Sequence, residues 1–136
     1  MEIITKNTEE TKRLAFEIAA KIKPETVICL YGGLGSGKTT FTRFLVEGLG
    51  IKNRVQSPTF VIARKYGHIN HVDLYRLTSE EEVRDIGVEE MINDKDAVTI
   101  IEWPEIIENI LPKETVKIYF DYIDENTRKI RIENLY

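Results

Sequence analysis

The sequence predicts a three-layer α/β fold, a parallel core sheet with added antiparallel hairpins and helices on both faces. Three observations lead there. The apolar run Thr26-Val27-Ile28-Cys29-Leu30-Tyr31 passes directly into a glycine-rich loop, and a helix-compatible run from Thr39 to Leu49 follows. A second apolar run, Ala97 to Glu102, ends in an acid, the pattern of a buried parallel strand delivering a carboxylate at its C-terminal end. Two pairs of strand-like runs are each split by turn residues. With 136 residues, the chain has room for one such domain over 1–136 and none for a separate substrate domain.

The elements follow in order. Asn7-Thr8-Glu9-Glu10 opens a helix, with Asn7 as cap and Glu10 three residues on. Leu14, Ala15, Ile18, Ala19 and Ile22 keep helical spacing until Pro24 closes the element. The strand and helix around the glycine-rich loop come next, and Gly50 caps that helix. Thr59 to Tyr66 and Ile69 to Leu74 form a hairpin about Gly67-His68. Ser79-Glu80-Glu81-Glu82 is a capping box for a short helix that Gly87 stops, and Val88 to Asn93 forms another helical turn. Pro104 to Leu111 reads as a helix with proline in first position. Thr115 to Tyr122 and Arg128 to Glu133 form the last hairpin, about Asp124-Glu125-Asn126-Thr127.

No apolar run approaches the roughly 20 residues that span a bilayer. The start, Met1 to Lys6, lacks the basic and apolar stretches of a signal peptide. Cys29 is the only cysteine and lies within an apolar strand, which fits a small buried hydrophobe in a reducing cytoplasm. Net charge is −4 but unevenly spread: residues 38–76 carry +5 and residues 77–136 carry −9. The basic middle suits a polyanion such as a nucleotide, and the acidic remainder argues against a large nucleic-acid surface.

Gly32-Gly33-Leu34-Gly35-Ser36-Gly37-Lys38-Thr39 reads G-x-x-x-x-G-K-T, the pattern of a phosphate-binding P-loop, between a strand and a helix as that motif requires. The fold expected is therefore P-loop NTPase-like. Glycines let successive backbone N–H groups converge on phosphate oxygens, and the helix N-terminus adds unpaired donors. Lys38 reaches the β- and γ-phosphates, and the Thr39 hydroxyl can hold Mg²⁺. Such sites need a second acid beside the metal. Glu102, ending its apolar strand, is the better match, and Asp73 is the second. His71, Asp73 and Tyr75 share one face of a strand; His71 has no second histidine at ligand spacing and reads as a core histidine satisfied by a neighbour. Ser57-Pro58-Thr59 follows the basic loop, where a hydroxyl could respond to a γ-phosphate in the manner of a switch, or simply begin a strand. Trp103 reads as half-buried packing at the sheet edge.

Together, Gly32 to Thr40 with Phe41-Thr42-Arg43, then Ser57-Pro58-Thr59, His71-Val72-Asp73-Leu74-Tyr75-Arg76 and Glu102-Trp103-Pro104 resemble the TsaE (YjeE) family over almost the whole chain. The resemblance implies a small ATPase, with ATP and Mg²⁺ as its ligands, that acts with TsaB and TsaD in forming threonylcarbamoyladenosine beside the tRNA anticodon. It implies contact with tRNA only through that complex. It places Gly32, Gly33, Leu34, Gly35, Ser36, Gly37, Lys38, Thr39 and Thr40 on the nucleotide, Thr39 and Glu102 on Mg²⁺, Lys38, Asp73 and Glu102 in the catalytic centre, and Ser57, Pro58 and Thr59 in a switch-like loop. It also carries Thr8 and Arg128 toward the far end of the nucleotide. The family often has an acid where Gly33 stands, a departure that leaves backbone contacts to phosphate intact. No arginine finger is evident, Arg43 and Arg76 being no more than candidates, so slow intrinsic hydrolysis raised by partners is expected. The rivals are a small-molecule kinase, for which no arginine-rich lid is evident, and a non-hydrolysing nucleotide sensor. A GTPase is disfavoured because Asn93-Asp94-Lys95-Asp96 is not the guanine-reading N-K-x-D.

Overall fold

The computed structural model describes residues 1–52 and 63–135. The anticipated switch residues Ser57, Pro58 and Thr59, and the start of the strand expected from Thr59, lie outside the described residues.

Chain order is β1 (Glu2–Thr5), α1 (Thr8–Ala19), β2 (Val27–Tyr31), α2 (Lys38–Gly48), β3 (Ala63–Tyr66), β4 (Ile69–Asp73), α3 (Glu80–Asp85), α4 (Val88–Ile92), β5 (Val98–Glu102), a 3-10 segment (Pro104–Ile110), β6 (Val116–Tyr122) and β7 (Arg128–Glu133). The described strands form one sheet in the order β1-β7-β6-β2-β5-β4-β3. β2 lies parallel to both β5 and β6, and β4 is parallel to β5. The pairs β3–β4, β6–β7 and β1–β7 are antiparallel. A parallel centre with antiparallel wings is the arrangement expected from the sequence.

Alternation along β2 explains the three layers. Ile28 and Leu30 face one core with Leu14, Ile18, Phe41 and Leu45 of α1 and α2. Val27, Cys29 and Tyr31 face the other, with Val83, Val88, Ile92 and Ile107. A strand apolar on both faces must be covered on both, so β2 takes the centre. α1 and α2 approach closely where Gly48 has no side chain, since a Cβ there would lie 2.9 Å from that of Ala19.

Local signals account for most helix ends. Asn7 Oδ1 accepts the Glu10 N–H at 2.8 Å, and Ser79 Oγ accepts the Glu82 N–H at 3.2 Å, each satisfying an otherwise unpaired first-turn donor. α1 stops at Ala19, earlier than the apolar spacing indicated. The chain continues in i→i−3 turns through Ile22, which still packs on the core. Pro104–Ile110 is 3-10 rather than α-helical, and helical angles break at Ile107 (φ −121°) as that side chain enters the core completely. β1 was not anticipated. It holds only four residues and is recruited as an edge by β7, with Ile3 opposite Ile130. No helix among the described residues is long and apolar enough to cross a membrane.

Phe41 is fully buried and meets Phe120 edge-on at 5.1 Å, joining α2 to β6. Phe41→Ala should lower the unfolding free energy by about 3–5 kcal/mol in urea titration. A loss below about 1 kcal/mol would show that this ring does not anchor the helix.

Candidate functional site

The glycine-rich loop turns directly off the central strand. Gly32 (φ 148°), Gly35 (φ 74°) and Gly37 (φ 101°) adopt positive φ, where a side chain is strained. Gly32 has a second constraint: a Cβ would lie 2.7 Å from Ser36 Oγ and 2.8 Å from the Phe120 carbonyl oxygen. Gly37 caps α2 without a side-chain hydrogen bond, so the first-turn N–H groups of an 11-residue helix remain available to an anion. Ser36 Oγ is buried and has no hydrogen-bond partner among the described residues. A cleft of about 430 Å³ opens over this loop, with Asp73, Glu102 and Trp103 in its opposite wall.

Lys38 is folded inward. Its amine donates to the Gly32 carbonyl and lies 3.5 Å from the centroid of the Trp103 ring, a cation–π contact. Only 5% of the residue is exposed. Burial pulls its pKa below the ordinary lysine value, opposed by the charges of Glu102, Glu105 and Asp73. Trp103 itself takes a left-handed backbone angle (φ 58°) immediately after β5, uncommon for a bulky residue, and its ring also meets Tyr75 at 4.9 Å.

The acids come from β4 and β5. Asp73 and Glu102 are register partners, and Glu102 shares the sheet face of Val98 and Ile100, which is the face α2 covers. The Thr39 hydroxyl in the first turn of α2 therefore donates to Glu102 Oε1 at 3.1 Å. His71, two residues before Asp73, places Nε2 2.6 Å from Glu102 Oε2. Two hard oxygen donors side by side fit Mg²⁺, which commonly takes one or two protein oxygens and completes its shell with phosphates and water. Among the described residues no group of three or more His, Cys, Asp or Glu side chains could form an all-protein metal cage.

The wall nearest α2 is completed by the last hairpin. Arg128 Nε donates to the Ser36 carbonyl at 3.0 Å, and its guanidinium lies 4.8 Å from the Tyr122 ring centroid. A smaller recess of about 130 Å³ brings Arg128 together with Thr8, Thr40 and Phe44. Thr8 and Arg128 thus stand beside the loop although the chain separates them widely. Arg76 lines the main cleft, whereas Arg43 is exposed on α2 and is not part of its lining.

Two relations were missed from sequence. Trp103 was read as edge packing, yet it covers the loop lysine; its place directly after Glu102 was the available signal. His71 was read as a satisfied core histidine. It is indeed buried, and Glu102 pairs with its Nε2, but its Nδ1 has no hydrogen-bond partner among the described residues. Tyr75 does not share a strand face with Asp73: β4 ends at Asp73, whose Oδ1 accepts the Tyr75 N–H at 2.9 Å and turns the chain outward.

A glycine-rich turn from a central parallel strand into a helix, with a strand-end carboxylate against the first-turn threonine, defines a P-loop NTPase-like protein. The model for threonylcarbamoyl adenosine biosynthesis protein TsaE matches residues 5–130, and the chain belongs to the TsaE family. Its relatives include the tRNA threonylcarbamoyladenosine biosynthesis protein TsaE of Bacillus subtilis, 42% identical over 130 residues, covering 93% of this chain and 80% of that protein. The TsaE protein of Aquifex aeolicus is 39% identical over 137 residues, covering 96% of this chain and 94% of its own. The crystal structure of Bacillus subtilis YdiB superposes with a TM-score of 0.82 at 34% identity, covering 100% of this chain and 86% of that one.

Burial raises the Asp73 carboxyl above its ordinary value, against the hydrogen bond from Tyr75, and the charge of Glu102 raises it further. With the folded pKa above the unfolded one, ionised Asp73 costs stability once pH exceeds the folded value, and the cost vanishes below the unfolded value. Asp73→Asn keeps an acceptor for the Tyr75 N–H and removes the charge. The variant should melt higher than the parent at about pH 8, with the difference closing toward about pH 4. Thermal melts across that range check it, and a parent that is the more stable at high pH would contradict it.

Proposed function

We propose that this chain binds ATP with Mg²⁺ and hydrolyses it in support of threonylcarbamoyladenosine formation on tRNA, in concert with TsaB and TsaD. The observation that carries the chemical part is that Glu102 and Asp73 stand opposite the glycine-rich loop, with Glu102 paired to Thr39 at the loop's end. The pathway is supported by family membership and by the printed descriptions of the relatives. TsaB and TsaD as partners rest on the motif resemblance.

In this reading, backbone N–H groups from Gly33 to Thr39 hold the phosphates, and Thr40 extends the cradle along α2. Lys38 leaves the Gly32 carbonyl and the Trp103 face to meet phosphate oxygens. Thr39 and Glu102 would hold Mg²⁺, which when bound neutralises charge on the phosphate oxygens. Asp73, the register partner of Glu102, orients the attacking water and takes its proton as the water oxygen bonds to the γ-phosphorus and the bond to the departing ADP breaks. Thr8 and Arg128 approach the nucleoside end. Arg128 is already engaged by the carbonyls of Ser36, Asp124 and Thr127. It therefore serves the loop's shape rather than acting as a finger on the transferring group. Hydrolysis by the chain alone is then slow, and docking of the partners accelerates it.

ATPase assays with and without purified TsaB and TsaD, together with nucleotide binding, test the reading. Lys38→Ala should lose nucleotide binding. Asp73→Asn should bind ATP normally but turn over about 100-fold more slowly. Turnover that is fast alone and indifferent to the partners, or unchanged in Asp73→Asn, would refute it.

A further inference from the structure

The carboxylate of Glu102 is 2% exposed and has a different partner on each oxygen. Oε1 accepts from Thr39, and Oε2 lies 2.6 Å from His71 Nε2. A carboxylate only accepts, so the imidazole N–H is the donor, and a contact this short to an ionised acceptor is among the stronger hydrogen bonds. His71 is completely buried and cannot reach a ligand in the cleft. Its other ring nitrogen, Nδ1, has no hydrogen-bond partner among the described residues, so the bond to Glu102 is the one described hydrogen bond that orients this ring.

We infer that His71 is a positioning residue, holding Oε2 of Glu102 so that Oε1 faces the Thr39 hydroxyl, the place the proposed function assigns to Mg²⁺. The inference rests on that reading of Thr39 and Glu102. A glutamate has three side-chain torsions, and rotation about the last exchanges its oxygens. Without a donor on Oε2, a carboxylate at this depth lacks compensation for lost water and turns toward any available N–H or cation. Lys38 is such a cation: it is buried nearby and sensitive to the charge of Glu102. His71 thus keeps the carboxylate on the threonine. The sheet makes this possible, because His71 and Glu102 are diagonal neighbours on one face of the parallel pair β4–β5. Outer partners of this kind commonly alter metal affinity about 10- to 100-fold.

The test compares two amides of different reach in the full-length chain. Glutamine at this position extends its amide nitrogen about as far as Nε2, and asparagine falls short. Binding of Mn²⁺ in the presence of adenylyl imidodiphosphate is followed by electron paramagnetic resonance, and analogue binding is also measured in EDTA. His71→Gln should keep the parent's Mn²⁺ affinity, and His71→Asn should lose about tenfold, with analogue affinity in EDTA equal in all three. In a Glu102→Ala background, His71→Asn should change Mn²⁺ affinity no further. Folding of each variant is verified by thermal melting, and the Glu102→Ala comparison separates a shift in Mn²⁺ affinity from general destabilisation. Parent binding with an unchanged His71→Asn, equal losses in both amides, or an additive loss in the Glu102→Ala background overturns the inference alone. Failure of the parent to bind Mn²⁺ with the analogue overturns the proposed metal site and the inference with it.

Discussion

The buried carboxylate of Glu102 organises the cleft. A charge at the end of a strand apolar on both faces is tolerated only when its oxygens are paired, and here the pairs come from two other elements. Thr39 reaches it from the start of α2, and His71 from the neighbouring strand β4. Those two bonds set the spacing between the glycine-rich loop and the acidic wall. β5 must stand beside β2 for the first, and β4 beside β5 for the second, which is the order observed. Asp73 follows from the same register, since it is the partner of Glu102 along the parallel pair.

The loop is held from its other side by the last hairpin. Arg128 on β7 binds the Ser36 carbonyl, and Phe120 on β6 limits what can stand at Gly32. The N-terminal helix closes the same corner through Thr8. The antiparallel wing thus extends the sheet and also supplies one wall of the site. The opposite wall is aromatic and more mixed in character: Trp103 covers the Lys38 amine, and Tyr75 leans on Trp103. A buried amine and a partly buried carboxyl, each with a pKa displaced by burial, are costs in stability that the surrounding apolar layers offset.

Much of this was legible in the sequence. The glycine-rich motif carries its own geometry, because three of its positions require positive φ and the helix that follows has no competing cap. The position of Glu102 was legible because an apolar run ending in an acid reads as a buried parallel strand with a carboxylate at its C-terminal end, and β5 is such a strand beside β2. Asn7, Ser79 and Gly87 marked helix boundaries through short-range hydrogen bonding or left-handed turns, which depend only on neighbours in the chain. β1 was not legible, since a four-residue edge strand exists only because β7 offers it a partner. The 3-10 geometry of Pro104–Ile110 was also hidden, as the insertion of Ile107 into the core decides it.

The sequence by itself determined the class of fold, the glycine-rich loop between strand and helix, and the acid at the end of β5, because each is written in residues close along the chain or in an alternating apolar pattern. Tertiary structure alone decided that His71 meets Glu102, that Trp103 lies over Lys38, and that Arg128 reaches Ser36 across 92 residues. These contacts depend on strand order and register. A period-two pattern says which face a side chain takes, but not which strand will lie beside it.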